Sequence, residues 1–222
     1  MLSLEKLFSS PEYSDEGFDR PRWWSEGSFY TTLRKVDAGS IASARADLTS
    51  TTASDSAAQN TNVHEVIWHD AKTGESSTLV SYAQLIPPGK DVPLTIDDYV
   101  TSKDRSKILI FTNSEKVWRL KTRGSYWILD FNATKPENFL FQLGGPDSST
   151  KLMFAAFSPD ASKVAYVKEH NIYVEDVFNR AITPITSDGS ATIINGTFDW
   201  VYEEEFSLRN GFRYVAHIMR FF

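Results

Sequence analysis

The sequence predicts an all-β fold that forms part of a β-propeller, on the basis of three observations. Short runs of β-branched and aromatic residues alternate with turn residues along most of the chain. Ser25, Ser102 and Ser158 occupy the same place before a hairpin turn in three weakly similar units. The chain has 222 residues, whereas a closed ring of about 7–8 blades needs roughly 300 or more. We therefore expect about three blades of antiparallel, four-stranded sheet and the start of a fourth.

The first unit combines three strand-forming segments with a long insertion. Residues 22–33 predict a strand, a Glu-Gly turn and a second strand, and residues 64–74 predict a strand and a turn that Ser77–Val80 follow as the return strand. Residues 37–62 are rich in Ala, Ser and Thr and cannot bury a core face, so they predict a low-complexity loop insertion. Without that insertion, the spacings between the three serines become nearly equal, which supports a repeat. Residues 4–13 predict a short amphipathic turn or helix.

The second and third units show the same order of turn residues followed by short strand-forming runs. The runs of the second unit are residues 101–111, 116–119 and 125–131, and those of the third are residues 157–166, 171–177 and 181–185. Each unit begins with a Ser-containing turn, such as Ser158-Pro-Asp, and continues with three strands. This order is typical of a propeller blade.

Composition and charge exclude several classes of function. The hydrophobic content of 41% and the aromatic content of 14% allow a substantial core. The net charge of -6 argues against nucleic-acid binding, which needs a basic surface. The absence of cysteine excludes disulfides and thiolate metal sites. We expect neither a cofactor nor a metal. The sequence shows no signal peptide and no apolar run of the ~18–20 residues that span a bilayer.

An acidic motif near the end of the chain is the main candidate for a binding site. Asp199-Trp-Val-Tyr-Glu-Glu-Glu205 places three consecutive carboxylates after two large aromatics. Such a run is either solvated or neutralised by a cation, because burial of adjacent like charges is costly. Adjacent residues on a strand point to opposite faces, so two glutamates that share a ligand require a helical turn or an irregular loop. Asn210-Gly211 closes the stretch with turn residues.

The motif resembles the double-glutamate motif of the dipeptidyl peptidase IV family of serine exopeptidases. The resemblance extends through Asn195-Gly-Thr before it and through residues 208–213 after it. In that family the second and third glutamates hold the N-terminal ammonium of a peptide, which implies this role for Glu204 and Glu205. The chemistry fits, since an α-amine with a pKa of about 7.7–8.0 is mostly protonated at neutral pH and donates three hydrogen bonds.

Other segments resemble the same family. They are residues 4–11, 94–99, 110–113, 117–119 and 152–154. Arg119 matches the family arginine that lies beside the glutamate pair and contacts the carbonyl of the substrate's second residue. Without the resemblance, a weak surface ion pair would be the preferred interpretation of Arg119. The resemblance implies an eight-bladed propeller followed by an α/β-hydrolase domain, so the whole chain, residues 1–222, is expected to be an incomplete N-terminal propeller.

The resemblance implies a function that requires residues outside this sequence. The family removes dipeptides with proline or alanine at the second position from free peptide N-termini. No Gly-x-Ser-x-Gly nucleophile elbow occurs here, so no catalytic residue is assigned, and the triad would come from a missing α/β-hydrolase domain. The resemblance also implies an extracytoplasmic location and frequent homodimers. The alternative is a stand-alone, non-catalytic β-propeller-like interaction module.

The remaining aromatic and histidine residues are expected to be structural. Trp200 and Tyr202 are interpreted as core anchors for the glutamates, with the wall of an amine pocket as the alternative. Trp118, Tyr126 and Trp127 are expected to pack within strands. His64 and His69 lack the spacing of a metal site, and His170 is expected at an exposed hairpin turn.

The C-terminal tail departs from the family pattern. Residues 214–222 are apolar and aromatic where the family has a turn and a further strand. We expect these residues to lack stable packing and the last blade to keep an open flank. Unpaired strand edges and exposed apolar surface favour self-association.

Overall fold

The computed structural model describes residues 3, 20–25, 27–36, 63–145, 151–215 and 218–221. Its strands are β1 (Arg22–Ser25), β2 (Phe29–Lys35), β3 (His64–Asp70), β4 (Ser76–Val80), β5 (Asp98–Thr101), β6 (Lys107–Lys116), β7 (Lys121–Asp130), β8 (Leu140–Gln142), β9 (Leu152–Phe157), β10 (Lys163–Lys168), β11 (Asn171–Asp176), β12 (Ile182–Pro184), β13 (Phe212–Val215) and β14 (Ile218–Phe221). Its helical segments are a 3-10 turn (Tyr82–Leu85), α1 (Pro136–Phe139) and α2 (Trp200–Phe206). None of the helices within these ranges is long and apolar enough to cross a bilayer.

The first twelve strands form three antiparallel, four-stranded units. Blade 1 has the order β1-β2-β3-β4, blade 2 the order β5-β6-β7-β8, and blade 3 the order β9-β10-β11-β12. Blades 2 and 3 are joined by a short antiparallel pairing of β7 with β9, in which Arg123 lies opposite Met153 and Gly124 opposite Leu152. The chain is therefore an all-β, partial β-propeller, as the sequence predicts.

The blades pack face to face through strands that are buried on both sides. On β6, Ile108 and Ile110 belong to the cluster between blades 1 and 2, whereas Leu109 and Phe111 belong to the cluster between blades 2 and 3. Successive side chains of a strand point to opposite faces, so a nearly continuous apolar run supplies both interfaces. This explains why β6 lacks the alternation of apolar and polar residues that a strand with one solvated face shows.

Buried polar side chains also link neighbouring blades. The hydroxyl groups of Thr31 in blade 1 and Tyr99 in blade 2 are 2.8 Å apart. The buried carboxylate of Glu175 in blade 3 accepts hydrogen bonds from the backbone N–H of Gly144, which follows blade 2, and from the Tyr166 hydroxyl. Burial raises the pKa of Glu175 despite these two donors. Hydrogen bonds are directional, so these contacts constrain the relative orientation of neighbouring blades, which apolar packing alone does not.

The first hairpin turns of blades 2 and 3 are built alike. Ser102 Oγ donates to Asp104 Oδ1 and Ser158 Oγ donates to Asp160 Oδ1, over 2.6 Å in both turns. The backbone N–H of the lysine that begins the next strand donates to each serine, at 2.9 and 3.0 Å. Ser25 ends β1 at the corresponding hairpin of blade 1, although its side chain lies outside the described part. The topology thus supports the serine repeat that the sequence predicts.

Blade 2 differs from the prediction at its central hairpin. Residues 116–119 were expected to form a strand, but β6 ends at Lys116 and the chain turns through residues 117–120. The backbone N–H of Val117 donates to the carbonyl of Leu120 to close this turn, at 3.1 Å. Trp118 is therefore exposed at a turn, and the expectation that it packs within a strand is wrong. Val117, Trp118 and Leu120 give this turn the apolar composition that is typical of a strand.

The other two aromatic residues of blade 2 lie within β7, as the sequence predicts. Tyr126 stacks on Phe111 with ring centroids 4.7 Å apart, in the cluster between blades 2 and 3. Trp127 packs against the cluster between blades 1 and 2.

The tail after α2 packs better than the sequence predicts. β13 pairs with β14 in an antiparallel hairpin. Phe212 is buried in a third cluster with Ala165 and Val167 of β10, and Tyr214 packs against it. The expectation of an unpacked tail is therefore wrong for Tyr214 and for the paired backbone of β13 and β14. The expected open flank of blade 3 is only partly covered, because Met153, Phe154 and Val174 stay half-buried.

Two sequence predictions fall outside the described residues. The amphipathic segment at residues 4–13 is one, and the insertion at residues 37–62 is the other. The residues that flank the insertion are paired, since the backbone N–H of Val36 donates to the carbonyl of Val63 at 2.9 Å. Val36 and Val63 thus lie side by side at the ends of the paired strands β2 and β3. The interpretation of residues 1–222 as one incomplete domain stays a prediction.

Candidate functional site

The acidic motif lies in a loop that is closed at its base by backbone hydrogen bonds. Phe198 N–H donates to the carbonyl of Arg209 at 3.2 Å, and Gly211 N–H donates to the carbonyl of Gly196 at 2.9 Å. Both partners of each bond belong to the segments that flank the three glutamates in sequence. The flanks therefore form the base of the loop, and the glutamates are carried on the part that projects from it.

Gly196 is required where this loop leaves the blade. Its φ of +80° favours glycine, and a Cβ there would lie 2.5 Å from Val167 Cγ2 and 2.8 Å from Ile172 Cγ1. Since these atoms belong to β10 and β11, the base of the loop packs directly on blade 3.

The glutamates lie on the short helix α2, which confirms that this stretch is a helical turn and not a strand. Asp199 caps the helix, because its Oδ1 accepts from the backbone N–H of Tyr202 at 3.0 Å. The helix ends at Phe206, and the capping residue Ser207 has a left-handed backbone with a φ of 54°. Successive residues of a helix are separated by about 100° around its axis. Three adjacent carboxylates are therefore directed to three different environments.

Each glutamate has its own environment. Glu203 is buried, with 6% of its surface exposed. Glu204 Oε2 lies 3.0 Å from Arg119 Nη1, and the side-chain exposures are 16% for Glu204 and 74% for Arg119. Glu205 is exposed. The structure therefore brings Arg119, on the turn between β6 and β7, to the glutamate pair, with Glu204 as its direct partner.

A cavity of about 770 Å³ lies beside this ion pair. It is bounded by α2 and its loop, the β6–β7 turn and blade 3. Its apolar wall includes Trp118, Met153, Phe154, Val167, Ile194 and Phe198. Its carboxylates are Glu115, Glu169, Asp199 and Glu203, and its cationic side chains are Arg123 and Lys151. Glu204 and Glu205 are not among the lining residues.

Glu203 is a buried carboxylate at the wall of this cavity. No hydrogen-bond donor of the described residues reaches its buried Oε1. Lys151, by contrast, is occupied, since its Nζ lies 3.2 Å from Glu115 Oε1 and donates to the carbonyl of Asn113 at 3.3 Å. The sequence analysis gave Glu203 no role. Its i, i+4 spacing from Asp199 could have indicated one, because this spacing places both carboxylates on one side of the helix.

The aromatic residues of α2 are not core anchors. Trp200 and Tyr202 are 47% and 45% exposed, and neither lines the cavity. Tyr202 stacks between Phe198 and Phe206, with centroid distances of 5.5 and 5.7 Å. A two-turn helix has one face against the blade, and Glu203 occupies that face. The expectation that Trp200 and Tyr202 are core anchors is therefore wrong, whereas the alternative, that they form the wall of an amine pocket at Glu204 and Glu205, stays a prediction.

Two of the described histidines, His69 and His170, have clear structural surroundings. His69 stacks on Tyr30 at 4.7 Å and shares a hydrogen bond with Thr32 at 2.9 Å. His170 is exposed at the turn between β10 and β11, as predicted, and lines the cavity. Among the residues that the structure describes, no group of three or more His, Asp or Glu side chains could hold a metal ion.

Fold and site together define a class of protein: a partial β-propeller that presents an acidic helix and an arginine beside a cavity. The model of the family described as the dipeptidyl peptidase IV N-terminal region matches residues 102–217, which include Arg119 and the three glutamates. Since this match covers more than half of the sequence, the chain belongs to that family.

Fungal relatives and one solved structure agree with this assignment. The chain is 38% identical over 104 residues to a probable dipeptidyl-aminopeptidase B of Penicillium rubens, covering 47% of this chain and 11% of that protein. It is 35% identical over 113 residues to dipeptidyl aminopeptidase B of Saccharomyces cerevisiae, covering 50% and 13%. It is similar in fold to Porphyromonas gingivalis dipeptidyl peptidase 4, with a TM-score of 0.67, 23% identity and coverage of 95% of this chain and 25% of that one. The matched part is thus a small fraction of each relative.

Proposed function

We propose that this chain is the substrate-recognition part of a dipeptidyl peptidase IV-type serine exopeptidase. In this proposal Glu204 and Glu205 accept hydrogen bonds from the N-terminal ammonium of a peptide. Arg119 donates to the carbonyl of the substrate's second residue. The observation that supports the proposal is the ion pair between Arg119 and Glu204, next to the exposed carboxylate of Glu205.

The geometry suits a group with both a positive charge and a neighbouring carbonyl. An ammonium has three N–H donors, and each carboxylate can accept several hydrogen bonds. Arg119 offers five N–H donors in a rigid fork, so its contact with one oxygen of Glu204 leaves donors for a second acceptor. The same contact holds Glu204 in place before a ligand arrives, which reduces the side-chain entropy lost on binding.

Such a site fixes how far the cleaved bond lies from the peptide N-terminus. Holding the ammonium and the first peptide unit places the bond after the second residue at a set position, where a nucleophile of an α/β-hydrolase domain can attack it. This is catalysis by positioning. Release of X-Pro and X-Ala dipeptides, and the participation of that domain, are parts of the proposal, because the matched part of the chain spans only 11% and 13% of the two fungal relatives described above.

Replacement of the glutamates tests the amine anchor in a full-length enzyme that contains this region. We expect Glu204→Ala and Glu205→Ala to lower kcat/KM for Ala-Pro substrates strongly, by about 3–5 kcal/mol where the salt bridge to the substrate is desolvated. Acetylation of the substrate's N-terminus should have a similar effect on the unmodified enzyme. Glu137→Ala, in the exposed helix α1, is the control and should leave kcat/KM unchanged. Equal rates on free and acetylated substrates would exclude the anchor.

A second test concerns the 222-residue chain alone. Because it contains no nucleophile elbow, we expect no release of chromophore from Gly-Pro or Ala-Pro substrates. Turnover that a serine-directed inhibitor abolishes would contradict this expectation. If the chain also binds free and acetylated peptides equally, the alternative function of a non-catalytic interaction module is favoured.

A further inference from the structure

We propose that Asn132 is the acceptor of an N-linked glycan when the chain passes through a eukaryotic secretory pathway. The sequence has two acceptor patterns of the form Asn-x-Ser/Thr, namely Asn132-Ala-Thr134 and Asn195-Gly-Thr197. The two asparagines have different surroundings, and those of Asn132 suit a glycan. The inference is independent of the proposed function, because it concerns the end of blade 2 that lies opposite the turn with Arg119.

Asn132 lies in the exposed connection between β7 and α1. Asn132 and Thr134 are both exposed. The backbone N–H of Asn132 donates to Asp130 Oδ1 at 2.9 Å, which forms a local turn at the surface. Acceptor asparagines belong to surface loops, and the attached glycan is bulky and polar. This turn therefore accommodates a glycan without displacing residues of the core.

Asn195 is held by contacts that a glycan would disturb. Its Nδ2, the atom that carries the sugar in a glycosylated asparagine, donates to Asp188 Oδ1 at 2.9 Å. Its backbone N–H donates to the carbonyl of His170 at 3.0 Å. The next residue, Gly196, is buried, and Thr197 is half-buried in a β-bridge. Folding therefore competes with transfer of a glycan to Asn195.

Transfer of the glycan exchanges one covalent bond for another. Nδ2 of Asn132 forms a bond to C1 of a lipid-diphosphate-linked oligosaccharide, and the bond from C1 to the diphosphate oxygen breaks. The lipid diphosphate leaves with the bonding electron pair, and Nδ2 gives up a proton to the transferring enzyme. The oligosaccharide donor and that enzyme are supplied by the secretory pathway.

The glycan site is far from the candidate ligand site. Strand β7 begins at Lys121, next to the turn that holds Arg119, and ends at Asp130, next to Asn132. Its ten residues, at about 3.3 Å each, separate the two positions by roughly 30 Å. A glycan on Asn132 therefore leaves the ion pair of Arg119 accessible.

An exposed aromatic ring lies at the same end of the blades as Asn132. Phe178, in the turn after β11, is 71% exposed. Lys107 Nζ lies 5.7 Å from the centroid of this ring and 3.6 Å from Asp130 Oδ2. The other oxygen of Asp130 accepts the hydrogen bond from Asn132. We therefore expect a glycan on Asn132 to cover the surface around Phe178 and to hinder association through this ring.

The test uses the full 222-residue chain, secreted by yeast behind a cleavable signal peptide. Peptide:N-glycosidase F in heavy-oxygen water converts a glycosylated asparagine to a labelled aspartate, which peptide mass spectrometry locates. A parallel sample without the glycosidase corrects for spontaneous deamidation at Asn195-Gly196. We expect the label on most copies of the Asn132 peptide and on a clearly smaller fraction of the Asn195 peptide.

The secreted and the cell-retained protein are both mapped, so that retention in the cell also gives a result. Absence of the label from Asn132 in both fractions overturns the inference. Labelling of Asn195 that equals or exceeds that of Asn132 in the secreted protein also overturns it, because the surroundings in the fold then do not select the acceptor.

Variants of the acceptor pattern assign the glycan to one residue. Asn132→Gln and Thr134→Ala should each remove most of the mobility shift that glycosidase treatment causes in the secreted chain. Thr134→Ser keeps the hydroxyl of the pattern and should retain the shift. Asn195→Gln is the matched control and should leave the shift unchanged. A full shift in both Asn132→Gln and Thr134→Ala contradicts the assignment.

Light scattering tests whether the glycan covers Phe178. Asn132→Gln should self-associate at lower concentration than the glycosylated wild type, because the ring is then uncovered. In the background of Phe178→Ser, the same change at Asn132 should have a smaller effect. Equal association of the glycosylated wild type and Asn132→Gln would overturn this part of the inference.

Discussion

At the scale of single residues, neighbouring carboxylates of this chain differ in what surrounds them. Glu203 is buried, and no donor among the described residues reaches its Oε1. Glu204 pairs with Arg119, and Glu205 is exposed. All three residues are glutamates, so the residue type alone does not distinguish their environments. Their separation follows from the helix, and the pairing with Arg119 follows from the packing of the β6–β7 turn beside α2. Only the family resemblance could predict that pairing, because no local pattern relates residues so distant in sequence.

The aspartates of the serine turns show the opposite case, in which the local sequence is sufficient. Hydrogen bonds from the side chain of Ser158 and from the backbone and side chain of Ser162 lower the pKa of Asp160 to about 2. Hydrogen bonds from Ser102 and Ser106 outweigh the effect of burial and lower the pKa of Asp104. The spacing Ser-x-Asp-x-Ser brings both donors to the carboxylate within one turn.

The lowered pKa of Asp160 predicts a dependence of stability on pH. A carboxylate whose pKa is lower in the folded state stabilises the fold above its unfolded pKa of 3.8, and this contribution is lost as the pH falls toward 2. We expect Asp160→Asn to lose stability less steeply than the wild type between pH 4 and pH 2, measured by urea unfolding at each pH. Ser158→Ala should raise the pKa of Asp160 in an NMR titration. Parallel curves for the wild type and Asp160→Asn would contradict the expectation.

At the scale of elements, the position of α2 depends on the base of its loop. The helix has only seven residues, and isolated helices of this length are unstable in water. Its position comes from the cap at Asp199 and from the contact of Gly196 with β10 and β11. The sequence could predict a turn here, but not that the flanking residues pair with each other.

A methyl group at Gly196 should therefore displace the helix. We expect Gly196→Ala to lower the free energy of unfolding by roughly 1–3 kcal/mol from overpacking, in addition to the cost of a left-handed backbone. Gly74→Ala is the matched control, because its φ is +74° and nothing lies within 4 Å of the added Cβ. The difference between the variants isolates the clash with Val167 and Ile172. Equal losses in denaturant unfolding would show that the close contact has no energetic role.

At the scale of the whole molecule, the fold was easier to predict than the site. The strands of all three blades follow from their β-branched and aromatic runs. The prediction failed at Trp118, where a turn has the composition of a strand, and at Tyr214, which packs against the cluster of Phe212 and blade 3. Both failures concern residues whose environment is set by contacts between elements. The exposure of Trp200 and Tyr202 has the same origin.

The described surface favours association between molecules. Trp23, Phe178 and Phe206 are each more than 60% exposed, and strands such as β1 and β12 pair on one side only within the described part. We expect the purified chain to self-associate in a concentration-dependent manner in size-exclusion chromatography with light scattering. Hydrogen exchange should show weaker protection in residues 214–222 than in β10. A monodisperse monomer with strong protection of that tail would contradict this expectation.

Because Val36 and Val63 are hydrogen-bonded, we expect blade 1 to tolerate changes in the length of the connection between β2 and β3. These two residues flank residues 37–62 at the ends of the paired strands β2 and β3, so the expected tolerance concerns how much chain lies between them. Loop-closure theory gives a cost of only about 0.6 kcal/mol for each doubling of such a segment. A fluorescent reporter or a peptide epitope grafted there should leave β2 and β3 paired. The same junction is a natural place for new termini in a circularly permuted variant of the blade.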